Sequence, residues 1–212
     1  QIPGFELAAV VDLSDARRRA AENMLPGTRT FASFEEALKE CELDAVVIAT
    51  PTHSHHDLAG QCIDHGLHAI IEKPLTTSVT SATELVRSAQ ARGTVLMVDH
   101  TYCYSSPVIH MKSLVENGSL GDLVYFDSTR VNLGLFQPDV SVLWDLAVHD
   151  LAILQHVTGR HPIGVSAAGG RHAKARHEAA TFLTLHFDDL FFAHINVSWL
   201  SPMKIRRTVL SG

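Results

Sequence analysis

The feature that most constrains this chain is the run Asp44-Ala45-Val46-Val47-Ile48-Ala49-Thr50, apolar without alternation. Such a run marks a strand buried on both faces, as in a sheet covered by helices above and below. The pattern around it repeats. Phe5 to Val11 reads as a short strand ending at Asp12, and a helix follows from Ser14, a plausible N-cap. Ser33 and Glu36 have the spacing of a capping box opening a helix to Glu40. Beyond Thr50 and Pro51 a helix is predicted from about His55 to His65, closed by Gly66, then a strand from Leu67 to Ile71. A helix over Thr80–Arg92, stopped by Gly93, and a strand over Thr94–Val98 complete the series. Strands joined through helices must run parallel, so the first half is an α/β, doubly wound, Rossmann-type unit.

After residue 98 the order changes. A helix over Pro107–Glu116 and a long strand over Leu123–Leu133 precede a helix over Trp144–Val157. Three strands then follow, Ile163–Ala168, Ala179–Phe187 and Phe191–Trp199, the last two flanking a turn at Asp188-Asp189. Strands without crossover helices imply an α+β unit with a largely antiparallel open sheet. The expected division is residues 1–100 and 101–212. Ile205 to Gly212 resembles the start of a further strand, and the chain reads as though cut at both ends.

Composition narrows the function. A net charge of −6, with Arg17-Arg18-Arg19 the one basic run, argues against nucleic acid as a partner. No apolar run reaches the ~18 residues of a membrane span. Cys41, Cys62 and Cys103 are scattered, which fits reduced thiols in a cytoplasmic protein.

Chemistry concentrates in four places. Ile70-Ile71-Glu72-Lys73-Pro74-Leu75 carries an apolar strand into a lysine, and proline stops the strand at once. Ligands bind at the carboxyl ends of parallel strands, and a desolvated ammonium there needs a task. Asp12, at another strand end, has the position of a ribose reader that accepts from the 2′-hydroxyl and repels a 2′-phosphate, favouring NAD over NADP; a helix-capping aspartate is the plainer reading. No GxGxxG occurs to accompany it.

Thr50-Pro51-Thr52-His53-Ser54-His55-His56-Asp57 admits three readings. His53, His55 and Asp57 resemble the HxHxD loop of zinc hydrolases of the metallo-β-lactamase type, with Leu58 where a last histidine belongs. Thr50-Pro51 also suits a loop beneath a nicotinamide ring, and exposed histidines without a task are the third reading. Finally, Asp145 and His149 are spaced i and i+4 on one helix face, where an imidazole can move a proton near neutral pH beside an orienting carboxylate. Lys73 is the natural third partner of the pair, and a capping aspartate beside a buried histidine is the plain alternative.

Thr50-Pro51 with His55, Glu72-Lys73-Pro74-Leu75, Ser119-Leu120-Gly121-Asp122, and Asp145 with His149, in that order, resemble the Gfo/Idh/MocA oxidoreductases along essentially the whole chain. The resemblance implies a Rossmann domain, an α+β domain that joins copies into a homo-oligomer through its sheet, and hydride transfer between NAD(P) and a sugar, nucleotide-sugar or cyclitol carbon. It implies catalytic roles for Lys73, Asp145 and His149, with Lys73 touching substrate and cofactor. It places the cofactor against Asp12, Thr50, Pro51, His55, Glu72, Lys73 and Pro74. The segment Arg130 to Gln137 is most similar to the WlbA-like nucleotide-sugar 3-dehydrogenases, which adds Arg130 and Asn132 as substrate contacts. The glycine-rich loop and the final strands of that family are missing here, so a non-catalytic fragment stands beside the zinc hydrolase as an alternative.

Overall fold

The structure, a computed structural model, describes residues 3–134, 136–137, 140–172 and 176–212. Leu135, within the segment likened to the nucleotide-sugar dehydrogenases, and residues 1–2 lie outside them.

The first half is built from β1 (Ala9–Val11), α1 (Asp15–Met24), β2 (Arg29–Phe31), α2 (Phe34–Glu40), β3 (Ala45–Ile48), α3 (His55–Asp64), β4 (His68–Glu72), α4 (Val79–Arg92) and β5 (Leu96–Asp99). Every strand pair is parallel, as the helical crossovers require. The pairing forms two groups, β1–β2 and β3–β4–β5. β4 is the central strand of the second, with Ile71 opposite both Ile48 and Val98. Its Ala69 and Ile71 are fully buried, and they share one core with Phe34, Ile48, Ala59, Ile63 and Leu85.

Local signals explain the boundaries. Ser33 Oγ accepts from Glu36 N at 3.2 Å, while the Glu36 carboxylate reaches back to Ala32 N, one residue earlier than a capping box predicts. Gly93 ends α4 with φ +68°, a conformation that a side chain disfavours. The run Asp44–Thr50 is not buried on both faces, because Ala45 and Val47 of β3 are exposed, Val47 by 70%, and two further expectations need correction. The strand predicted over 5–11 pairs only from Ala9, and β2 was not foreseen, because Arg29-Thr30-Phe31 is too short to show a period.

The second half contains α5 (Ser106–Glu116), β6 (Tyr125–Leu133), a π-helical turn (Leu143–Ala147) running into α6 (Val148–Thr158), β7 (Gly164–Gly170), β8 (Ala180–His186), β9 (Phe192–Ser198) and β10 (Leu200–Ser211). The sheet order is β10-β6-β9-β8-β7, antiparallel except where β6 and β9 run parallel. One face packs Phe126, Ile195, Val197 and Leu183 onto Ile153, Leu154 and Val157 of α6. The residues predicted to open a strand at Ile205 belong to β10, which starts five residues earlier and runs beside β6. The other face of the sheet stays open, with Phe182 and Phe192 exposed.

Candidate active site

Lys73 leaves the central strand β4 one residue past its end, and the structure gives its ammonium a partner from the other half of the chain. Nζ donates to Asp145 Oδ1 at 2.8 Å and to the Asp145 carbonyl at 2.9 Å. Both side chains are largely shielded, 19% and 17% exposed. Asp145 sits in the π-helical turn ahead of α6. Turns of this kind occur mostly at functional positions. The second carboxylate oxygen, Oδ2, accepts from the indole N–H of Trp199 at 3.2 Å. Two of the three ammonium donors are thus committed to one residue, and the third has no partner among the described residues.

His149 lies one turn beyond Asp145, but the two side chains make no hydrogen bond. The ring packs edge-on to Tyr102 at 4.8 Å, and its buried Nδ1 has no partner among the described residues. Burial pushes the imidazole down to about 3, helped by the cations of Lys73 and Arg130 and opposed by Asp145. His149 is therefore a neutral ring at physiological pH, and the same burial and neighbouring cations make it a weak base. His100, also with an unpartnered buried Nδ1, is lowered by its own burial against a smaller opposing pull from Asp99.

The predicted cofactor residues divide into two groups. Thr50 and Pro51 are exposed at the end of β3, as a loop facing a ligand would be. Asp12 ends β1; its Oδ1 caps Ser14 N at 2.8 Å, and Oδ2 faces the exposed Arg17 at 3.5 Å. So Asp12 closes a turn just ahead of α1 without capping the helix itself, and it keeps one carboxylate oxygen without a hydrogen bond among the described residues. Glu72 is half-buried at the end of β4, beside Asp99 in the sheet register.

His55 is different. It is 1% exposed, with Nδ1 2.9 Å from the Pro74 carbonyl and Nε2 2.8 Å from the Thr50 carbonyl. It ties the loop after β3 to the loop after β4, and neither ring nitrogen is available to a ligand. That geometry also dismantles the HxHxD metal reading, since His55 points inward while His53 is exposed. Among the described residues no group of three His, Cys, Asp or Glu side chains converges on a metal position.

Arg130, expected at the substrate, is 7% exposed and spends Nε and Nη2 on Asp150, at 2.9 and 3.1 Å. Asp150 also accepts from Ser128 Oγ at 2.7 Å and is itself 1% exposed. The guanidinium lies 4.5 Å over the Tyr102 ring, the same ring that abuts His149. Arg130 thus builds the wall behind the histidine. Asn132 is half-buried, and its amide lies beside Trp199: a Cβ on Gly134 would sit 3.0 Å from Asn132 Nδ2 and 3.2 Å from Trp199 Cδ1.

Tyr102 and Trp199 are the site residues that the motifs missed. Trp199 carried a usable signal, because a tryptophan ending a buried strand needs an acceptor for its N–H. Tyr102 carried none. A cavity of about 590 Å³ lined by Pro74, Val79, Trp144 and His100 adjoins this region, but Lys73, Asp145 and His149 do not line it. The convergence of these three side chains defines the site better than the cavity does.

Comparison with known proteins places the chain. Residues 1–100 match the model of an oxidoreductase family with an NAD-binding Rossmann fold, and residues 108–212 match the GFO/IDH/MocA C-terminal domain. UDP-N-acetylglucosamine 3-dehydrogenase of Acidithiobacillus ferrooxidans is 32% identical over 185 residues, which cover 85% of this chain and 56% of that protein. Inositol 2-dehydrogenase of Pseudarthrobacter chlorophenolicus is 30% identical, with 82% and 52% covered. The crystal structure of GenD2 from gentamicin A biosynthesis, in complex with NAD, superposes with a TM-score of 0.91 at 24% identity, over 98% of this chain and 62% of that one. The chain spans about half the length of the curated relatives it matches. No helix among the described residues is long and apolar enough to cross a membrane.

Proposed function

This chain belongs to the Gfo/Idh/MocA oxidoreductase family, and we propose that the protein it represents moves a hydride between NAD and a hydroxyl-bearing carbon of a sugar, nucleotide sugar or cyclitol. The observation that carries the reading is the Lys73–Asp145 pair beside a neutral His149, assembled across two sheets at the carboxyl end of β4. Residues 1–100 supply the cofactor side and residues 101–212 the substrate side. The curated relatives named above, an N-acetylglucosamine nucleotide dehydrogenase and an inositol dehydrogenase, support this substrate range.

The residues present fit the ribose and nicotinamide parts of a nicotinamide dinucleotide, while the sequence given holds no GxGxxG for its pyrophosphate. Asp12 keeps a carboxylate oxygen for a ribose hydroxyl, which favours NAD over NADP, and Thr50-Pro51 and the Glu72-Lys73-Pro74 corner end neighbouring strands. His55 serves the cofactor indirectly, by fixing both loops. When bound, the nicotinamide supplies the hydride acceptor. His149 takes the hydroxyl proton as the carbon–hydrogen bond breaks and a carbonyl forms. A base this weak takes the proton only as loss of the hydride makes the O–H group strongly acidic, and it gives the proton back to oxygen readily in the reductive direction. The remaining Lys73 N–H stabilises the negative charge on that oxygen. Asp145 holds the ammonium in place and keeps its charge compensated. Asn132, beside Trp199, contacts the sugar, with Arg130 supporting the wall behind it.

The open sheet face with Phe182 and Phe192 exposed and Tyr125 stacked on Phe192 pairs copies of the chain into an oligomer. Cys41, Cys62 and Cys103 are free thiols, in keeping with the cytoplasm. The test uses the whole protein and a panel of nucleotide sugars and inositols, following NAD reduction. Lys73→Met and His149→Asn should each lower turnover roughly a hundredfold or more with NAD affinity retained. Normal turnover in both variants would refute the assignment.

A further inference from the structure

We propose that Trp199 is a positioning residue for the reaction: its indole N–H selects the orientation of the Asp145 carboxylate and thereby aims Lys73. This rests on the functional reading above for its catalytic consequence, though not for the contact itself.

The geometry is over-determined in a way that ordinary core packing does not need. Lys73 reaches both Oδ1 and the main-chain carbonyl of Asp145, at 2.8 and 2.9 Å. Gripping two acceptors of one residue requires a particular torsion of the Asp145 side chain. A carboxylate held at one oxygen can still tilt its plane about its last bond. The indole opposes that tilt by donating to Oδ2 at 3.2 Å. An indole N–H only donates, so its partner must be an acceptor such as this oxygen.

Trp199 is held firmly enough for this task. Its backbone N–H donates to the Ala179 carbonyl at 2.9 Å, and its carbonyl accepts from Gly134 N at 3.2 Å. Its side chain lies in the second core, 2% exposed, with the Phe136 ring edge-on at 5.7 Å. Gly134 leaves room at close range, because a Cβ there would lie 3.2 Å from the indole and 3.0 Å from Asn132 Nδ2, and one of them would have to shift. So the rigidity of the sheet passes through Trp199 to Asp145, and from Asp145 to the lysine at the end of β4.

Two readouts in the whole protein test the proposal. The first is spectroscopic and independent of activity. The chain has two tryptophans, Trp144 and Trp199, so Trp199→Phe assigns the Trp199 indole N–H resonance. Asp145→Ala should move that resonance and speed its exchange with solvent. The second is kinetic. Trp199→Phe keeps a ring in the core but loses the donor, and should lower kcat roughly tenfold, the cost of one hydrogen bond to a charged group, with KM for NAD unchanged. In an Asp145→Asn background the same substitution should cost almost nothing further, because its effect runs through Asp145. An indole resonance indifferent to Asp145→Ala overturns the proposal, as do equal losses from Trp199→Phe in both backgrounds. If the unsubstituted protein has no dehydrogenase activity, the functional reading fails, and the indole resonance still decides whether Trp199 holds Asp145.

Discussion

Arg130 and Asp150 offer the sharpest test of how the site is built. Asp150 is 1% exposed and receives three hydrogen bonds, from Arg130 Nε, Arg130 Nη2 and Ser128 Oγ. Asp150→Ala strands a guanidinium whose side chain is 8% exposed. Removing one partner of a buried pair costs about 3–5 kcal/mol. The Tyr102 ring, 4.5 Å from the guanidinium, is there in both proteins and drops out of the difference. A loss of about 3–5 kcal/mol is therefore expected for Asp150→Ala. The double change Arg130→Met with Asp150→Leu replaces both charges by apolar groups and should recover most of the loss, since such exchanges are often neutral. Urea unfolding of the whole protein, followed by tryptophan fluorescence and by circular dichroism, gives each stability, and the cycle should show a coupling above about 2 kcal/mol. If Asp150→Ala costs less than about 1 kcal/mol while Arg130→Met raises the KM for substrate at unchanged stability, the pair is not structural. Arg130 would then be the substrate contact that its sequence position suggests.

Three further outcomes are expected. His149 is held near 3 in the folded state against 6.5 for a free histidine, so between those values the unfolded chain binds a proton that the folded chain refuses. Stability from this group is complete above pH 6.5 and falls as the pH drops towards 3; relative to His149→Gln, the unsubstituted protein should lose about 1–2 kcal/mol between pH 7 and pH 5, and a gap that does not change with pH would contradict it. Asp12→Ser in the whole protein should shift preference towards NADP by roughly tenfold, read as the ratio of kcat/KM for the two cofactors; an unchanged ratio removes Asp12 from the ribose site. Val47, 70% exposed on β3, should accept lysine with a stability change within about 0.5 kcal/mol and a higher solubility limit; a large loss of stability would show that Val47 is covered.

How much of this was legible beforehand depended on the length of each signal. The parallel β3–β4–β5 sheet could be read because Asp44–Thr50 is apolar throughout and Gly66 and Gly93 mark helix ends. β2 could not, since three residues carry no period. The parallel pairing of β6 with β9 was equally hidden, because the strands between them suggested hairpins and only the tertiary fold slots β9 next to β6. At the candidate site, strand-end position and i, i+4 spacing singled out Lys73, Asp145 and His149, and the structure brings them near one another. What the pattern could not supply was partnership. Asp145 was expected to orient His149 with Lys73 as the third partner; it does engage Lys73, but its other oxygen goes to Trp199 and not to His149. His55, expected at the cofactor, is a buried tie between two loops, and Arg130 faces Asp150. Each of these depends on which distant residue arrives opposite, 72 positions away for Lys73 and Asp145, and short spacing rules have no access to that.

The union of Lys73 with Asp145 has a consequence for assembly. The ammonium leaves one sheet and its acceptors precede the helix that packs on the other, so neither half holds a finished site by itself. An unseated pair of halves exposes a hydrated lysine and a hydrated aspartate, each ordinary in its chemistry. Docking the halves brings Lys73 and Asp145 together in the same event, so under the proposed function only docked halves hold the candidate site.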